Sequence, residues 1–310
     1  MATRIKADSA PETSPAGEIS YERQLNRYAI AGILVAVLGG ILFGLDIGTT
    51  SVTSLHSFRE AVNIPIQADG HEDPAWVAAK IKWFPMIFHI SCIICSLFAG
   101  TAIDIFGRKP VMLMAGSLFM AGALWQCFAG LVSSASFAWT SILLGRVVGG
   151  AGLGFILTVM PVYASELAPK TKRGMTLLLF QLCITIGIFF QTVLNFGLNH
   201  LTWGWRFAFA CQAIPCLIVI VMTQFFLPES PRYLIQKGRH EEARAALARL
   251  AEGSPNATLI AEYEFQHTID EINAQQKVGN GTWRELVVDN FPSFLLGFFI
   301  TLSQQATGIN

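Results

Sequence analysis

Charge is the first thing this chain is short of. Only 14% of its 310 residues are Asp, Glu, Lys or Arg, where soluble domains carry about 25%. Acids and bases balance at 21 each, so no net field points to nucleic acid or to an acidic or basic partner. Catalytic and metal-binding patterns are missing too. The six histidines are scattered without ligand spacing, and no nucleophile–base arrangement stands out, so the sequence gives no support for an enzyme, a metal or a cofactor. Nor is there a secretory leader: residues 1–26 are polar, with Pro11 and Pro15, and no apolar core precedes Tyr28. They read as a disordered tail.

The composition is instead 53% hydrophobic, with a mean hydropathy of +0.49. Apolar stretches fall near 29–50, 84–103, 110–131, 137–163, 176–198 and 206–227, and a seventh begins near Phe291. A helix needs roughly 20 apolar residues to cross a hydrocarbon core of about 30 Å, so six spans are expected within residues 27–227. The polar stretch 228–290 should hold short amphipathic helices, one over Glu241–Leu250 and one ending near Gln276, broken at Gly253-Ser254-Pro255. All six cysteines (Cys92, Cys95, Cys127, Cys183, Cys211, Cys216) lie in apolar runs, where a thiol packs as a small hydrophobe. The Cys92–Cys95 spacing is that of a redox pair but sits inside a continuous span rather than at a helix start.

Lys and Arg set the expected orientation. They occur in the tail (Arg4, Lys6, Arg23, Arg27), after the second span (Arg108, Lys109), after the fourth (Lys170, Lys172, Arg173) and after the sixth (Arg232, Lys237, Arg239). The loop near 132–136 has none. The positive-inside rule then makes the amino terminus cytoplasmic, and the acceptor triplets at Asn256 and Asn280 should stay unmodified.

Two ionisable residues sit deep in apolar runs: Asp46 in the first span and Arg146 in the fourth. Each costs roughly 2.5–3.5 kcal/mol at a helix centre on insertion scales. The economical expectation is that they face each other. The arginine would favour the ionised acid and the low dielectric would oppose it, the competition a proton-coupling carboxylate requires; a static pair fixing helix register is the plainer alternative. His89 reads as a packing histidine. The glycine run Gly150-Ala-Gly152-Leu-Gly154 follows no strand, so it reads as close helix packing rather than a nucleotide loop.

Four elements carry a specific resemblance. Gly100, Asp104, Gly107, Arg108 and Lys109 form a loop similar to the GxxxDxxGR(R/K) loop of the major facilitator superfamily. Pro161-Val-Tyr163-Ala-Ser-Glu166-Leu-Ala-Pro169 with Arg173-Gly174, Pro228-Glu229-Ser-Pro231-Arg232-Tyr233-Leu234, and Gln304-Gln305-Ala-Thr-Gly308-Ile-Asn310 resemble three elements of the sugar-porter family, in its order and spacing. The resemblance is to the amino-terminal half of a fungal-type hexose carrier. It implies an all-α membrane protein of the major facilitator fold: a six-helix bundle, linker helices, and over residues 291–310 the start of helix seven.

The resemblance also implies roles. Gln181, Gln304, Gln305 and Asn310 would hydrogen-bond sugar hydroxyls, with Phe43, Ile184 and Ile188 against the less polar ring face. Asp104, Arg108, Glu166, Arg173, Glu229 and Arg232 would form a gating charge cluster at the cytoplasmic end. The expected activity is monosaccharide transport by proton symport, in the plasma membrane. The partners would be sugar, protons, lipid and a second six-helix half that this chain lacks, so that alone it would not complete a transport cycle. A facilitator, a non-transporting sensor, or a carrier of a polyol, disaccharide or quinate are the alternatives. Leu45, where the family usually has an aromatic residue, Val52, where it has glycine, and the arginine-free entry Asp289-Asn290-Phe291-Pro292 depart from the pattern.

Overall fold

The computed structural model describes Gln24 and Val77 together with residues 26–62, 80–129, 135–278 and 290–306. Within them the chain is helical and no strand occurs. α1 (Arg27–Thr49) continues as a 3-10 turn to Ser54, and α2 (His56–Ala61) follows. Then come α3 (Trp83–Phe106), α4 (Arg108–Phe128), α5 (Ala135–Leu167), α6 (Arg173–Leu198), α7 (Gly204–Cys211) and α8 (Ala213–Phe225). Among the described residues, six segments are long and apolar enough to cross a membrane. The sixth runs from Gly204 to Phe225 and is broken at Gln212 into α7 and α8. Pro215 lacks the N–H that would bond the Cys211 carbonyl, which accounts for the break.

α1 and α5 are the most buried spans, α3 and α6 the least. α5 packs against α3, α4 and α1, while α1 lies along α6. Glycine decides how close these helices come. A Cβ on Gly44 would strike the Ile184 carbonyl oxygen, and one on Gly187 would fall 2.7 Å from the Ile41 oxygen and 3.0 Å from Gly44 Cα. α1 and α6 therefore meet backbone to backbone, as small residues permit in lipid. The main core gathers Leu42, Phe88, Phe119, Leu153, Met160 and Tyr163. A second, aromatic core closes one end of the bundle: Phe58 meets Phe84 and Trp205 edge-on at centroid distances of 5.9 and 5.8 Å. Beyond the spans, α9 (Pro231–Gln236), α10 (His240–Ala251) and α11 (Ala257–Val278) fold around their own small core of Leu234, Ala243, Leu247, Ile260 and Phe265. α12 (Phe291–Ala306) ends the described chain, with exposed side chains over 291–300.

Asn26 joins the linker helices to the bundle. Its Oδ1 accepts the backbone N–H groups of Tyr28 and Ala29 at 3.1 and 3.0 Å, capping α1. Its Nδ2 donates to the Arg249 and Glu252 carbonyls at the end of α10, at 2.5 and 3.3 Å. One amide thus satisfies unpaired groups at two helix ends. Residues 1–23, the loop positions 132–134, the Asn280 triplet and Asn310 lie outside the described residues.

Candidate substrate and coupling site

The two intramembrane charges meet. Arg146 Nη1 donates to Asp46 Oδ1 at 2.5 Å, with both side chains buried. Arg146 Nε also donates to the Phe84 carbonyl at 3.3 Å. The guanidinium carbon lies 4.3 Å from the centre of the Phe84 ring and 4.2 Å from that of Phe88. Two aromatic faces thus hold the cation where water cannot. Phe84 and Phe88 are one helical turn apart on α3, so both can reach one guanidinium on α5. The pair is incompletely satisfied: Asp46 Oδ2 and Arg146 Nη2 are buried without a hydrogen-bond partner among the described residues. His89, on the neighbouring face of α3, is exposed, and its Nδ1 lies 2.8 Å from the Pro85 carbonyl oxygen.

Of the residues expected on a sugar wall, Ile184 and Ile188 lie at the α1–α6 seam. Gly40, Gly44 and Gly48 sit against Phe180, Ile184 and Ile188 in turn. Gln181, Ile188 and Phe43 are half-buried and keep surface to offer, whereas Ile184 is only 4% exposed because it is pressed onto α1. Gln304 and Gln305 fall on α12; their side chains and Asn310 are not among the described features. Gln191, one helix face further along α6, turns inward. Its Nε2 donates to Asn195 Oδ1 at 3.1 Å and to the Ala208 carbonyl at 3.3 Å.

The charge cluster separates into three arrangements. Arg108 grips Glu166 with two hydrogen bonds, Nη2 to Oε1 at 2.7 Å and Nε to Oε2 at 3.1 Å. That bidentate geometry ties the start of α4 to the end of α5. Asp104 approaches the same guanidinium only to 3.9 Å and is exposed. Glu229 works through the backbone: its carboxylate accepts the N–H groups of Arg108 at 3.0 Å, Lys109 at 3.2 Å and Ser230 at 2.9 Å. It thereby places negative charge on the amino end of α4. Gly107 allows this approach, since at φ +95 with Glu229 Oε2 2.7 Å from a would-be Cβ no side chain fits. Lys109 returns the contact, its Nζ donating to the Gln224 and Leu227 carbonyls at 2.9 and 3.1 Å. Tyr163 donates its hydroxyl proton to the Pro228 carbonyl at 2.7 Å, and Tyr233 to that of Ile105 at 2.9 Å. Arg232 lies apart, pairing with Glu271 at 3.4 Å and Gln275 at 3.1 Å on α11. Arg173 is exposed and faces, with Glu166, Arg232 and Glu271, a cleft of about 510 Å³ between the bundle and the linker helices.

Sequence reasoning did not single out Phe84, Phe88, Asn195, Thr49 or Gln212. A signal was present in the last three, polar residues in apolar spans, but the contacts that join them (Gln212 to Thr49, Asn195 to Gly48 and Ser51) run between helices.

Six apolar, membrane-length helices packed in one bundle make this a membrane protein of the major facilitator fold. The family model described as sugar (and other) transporter matches residues 32–310, and the chain belongs to that family. Sugar transport protein 10 of Arabidopsis thaliana is 32% identical over 303 residues, covering 95% of this chain and 56% of the relative. H(+)/hexose cotransporter 2 of Parachlorella kessleri is 33% identical over 309 residues, covering 96% and 55%. Among solved structures, the proton:xylose symporter XylE bound to 6-bromo-6-deoxy-D-glucose superposes with a TM-score of 0.71 at 25% identity, covering 84% of this chain and 56% of that one. The chain spans about half the length of the curated relatives it matches. With six membrane-length helices and this membership, it is an integral, multi-pass membrane protein of a family of transporters.

Proposed function

We propose that the gene product carrying this chain moves a hexose-type monosaccharide across the plasma membrane together with protons, by rocking two six-helix halves about a site at the bilayer midplane. The observation that carries this is the buried Asp46–Arg146 pair with its unpartnered Asp46 Oδ2. A carboxylate held by one arginine in low dielectric, with an oxygen free to take a proton, can switch charge without leaving its place. Relatives named as a hexose cotransporter and a proton:xylose symporter support the same reading.

In it, Asp46 carries the proton and Arg146 is its counter-ion. Gln181 presents an amide, able both to donate and to accept as sugar hydroxyls need, and Phe43, Ile184 and Ile188 supply apolar contact. Gln304, Gln305 and Asn310 supply further amides to the sugar hydroxyls. The Arg108–Glu166 grip and the Glu229 cap hold the cytoplasmic end closed in one state, with Asp104, Arg173 and Arg232 adding weaker contacts. The amino terminus is cytoplasmic because the basic ends of α4 and α6 lie on its side of the spans.

The test is proteoliposomes holding the complete gene product, loaded with a pH dye and offered labelled glucose, xylose and a polyol. Sugar entry should acidify the lumen, and Asp46→Asn should abolish the acidification. Sugar entry without acidification in the wild type defeats the coupling and leaves a facilitator. Binding without counterflow leaves a sensor.

A further inference from the structure

A polar network that the charge pair does not use surrounds the end of α1 just beyond Asp46. Gln212, at the break between α7 and α8, donates through Nε2 to the Thr49 hydroxyl, which donates in turn to the Leu45 carbonyl at 2.7 Å. The Leu45 carbonyl belongs to the peptide bond whose nitrogen is that of Asp46. On the other side, Gln191 donates to Asn195, and Asn195 Nδ2 donates to the Gly48 carbonyl at 3.2 Å and to Ser51 Oγ at 2.7 Å. Ser51 also bonds the Gly48 carbonyl, at 2.8 Å. Gln191, Asn195, Thr49 and Gln212 are all at most 2% exposed.

A helix end leaves its last carbonyls without partners. Here the Gly48 carbonyl is met by Asn195 of α6 and by Ser51, and the Leu45 carbonyl by Thr49 of α1 itself, whose hydroxyl Gln212 engages. α6, the helix of Gln181 and Ile188, holds Gly48 through Asn195; the α7–α8 break holds Thr49 through Gln212 and reaches Leu45 only by way of the Thr49 hydroxyl. The Gly44–Gly187 contact leaves α1 little room to slide along α6. The turn bearing Asp46 is therefore fixed from both sides, and buried chains of hydrogen bonds of this kind stiffen one another.

Resting on the proton-coupled reading, we propose that Thr49, Gln212 and Asn195 are positioning residues for proton transfer: they hold the Asp46 turn of α1 against Arg146 and so set the pH at which the carrier loads its proton. Among the described residues, the ionisable groups that interact electrostatically with Asp46 are Arg146 on α5 and His89 and Cys92 on α3. α6 and the α7–α8 break meet this turn with amides and carbonyls, so neutral substitutions there change geometry and not charge.

Thr49→Val removes the hydroxyl at nearly constant volume, and Thr49→Ser keeps it. Gln212→Met removes the donor at similar length. In proteoliposomes of the complete gene product, initial rates of sugar-driven acidification are measured across external pH. A loosened turn weakens the Arg146 contact that favours ionised Asp46, so Thr49→Val and Gln212→Met should move the midpoint up by about 0.4–1 pH unit, the equivalent of one ordinary hydrogen bond. Thr49→Ser should restore the wild-type midpoint, and the sugar KM at saturating proton should stay within about twofold. Profiles of both variants that superimpose on wild type, or a Thr49→Ser shift equal to that of Thr49→Val, overturn the proposal. A lowered maximal rate with an unmoved midpoint also overturns it, since that is what a merely structural role gives. Failure of the coupled reading is seen separately, in wild-type protein that takes up sugar without acidification, and it removes this inference as well.

Discussion

Replacing Arg146 with leucine tests how the central charge pair is held. Leucine takes away the donor to Asp46 Oδ1 at 2.5 Å, the donor to the Phe84 carbonyl at 3.3 Å, and the cation between the Phe84 and Phe88 rings. Asp46 is then buried without a counter-ion. Removing one partner of a buried pair costs about 3–5 kcal/mol, most of it the desolvation of the charge left behind. The loss of ring–cation contact acts on the same cation and is not a separate sum. In domains of 150–250 residues, 1 kcal/mol lowers Tm by about 2–4 °C, so a drop of at least roughly 6 °C is expected in detergent-solubilised protein at fixed scan rate. Asp46→Asn in the same background removes the orphaned charge, and the double variant should recover at least about 2 kcal/mol of the single Arg146→Leu loss, because neutral replacements of buried pairs are often tolerated. Additive losses in the double-mutant cycle would refute the reasoning, since they would mean that the two side chains do not share one buried interaction. A Tm within 2 °C of wild type for Arg146→Leu would refute it more directly.

Two further outcomes follow from helix ends. Glu229→Ala strips the carboxylate from the Arg108, Lys109 and Ser230 N–H groups and should cost about 1–2 kcal/mol by thermal unfolding, while Glu229→Gln, which keeps an acceptor, should lose less than half of that; equal losses would argue against capping. Asn26→Ala should cost about 1 kcal/mol and speed hydrogen exchange at both ends it joins, the first turn of α1 and the last turn of α10, with a change at only one end counting against the shared cap.

Much of this architecture is legible from one dimension. A helix in lipid must be apolar over its length and must satisfy its backbone within itself, so the spans announce themselves as apolar runs. The structure places them at Arg27–Ser54, Trp83–Phe106, Arg108–Phe128, Phe137–Leu167, Arg173–Leu198 and Gly204–Phe225. The amphipathic pattern after Pro228 likewise marks α10 and α11, which form over His240–Ala251 and Ala257–Val278. The cost of burying Asp46 and Arg146 was enough to pair them, because each needed a partner and the apolar spans offered no other clear one.

What the sequence could not supply was which group answers which. Glu229 and Arg232 are three residues apart in one motif, yet the first caps α4 through backbone N–H groups and the second bonds α11. Gln181 and Gln191 lie on the same helix ten residues apart, yet one keeps an open face and the other joins a buried network. Nothing in local spacing separates these cases, since backbone donors and carbonyls carry no residue letter and the distant partners (Arg108 and Lys109 for Glu229, Glu271 for Arg232, Ala208 for Gln191) lie on other helices. The sequence by itself determined the number of spans, the family and the residues too costly to bury alone. Only the packing of α1 on α6, governed by how closely Gly44 and Gly187 let two backbones approach, decided where the end of α1 sits and which side chains meet it.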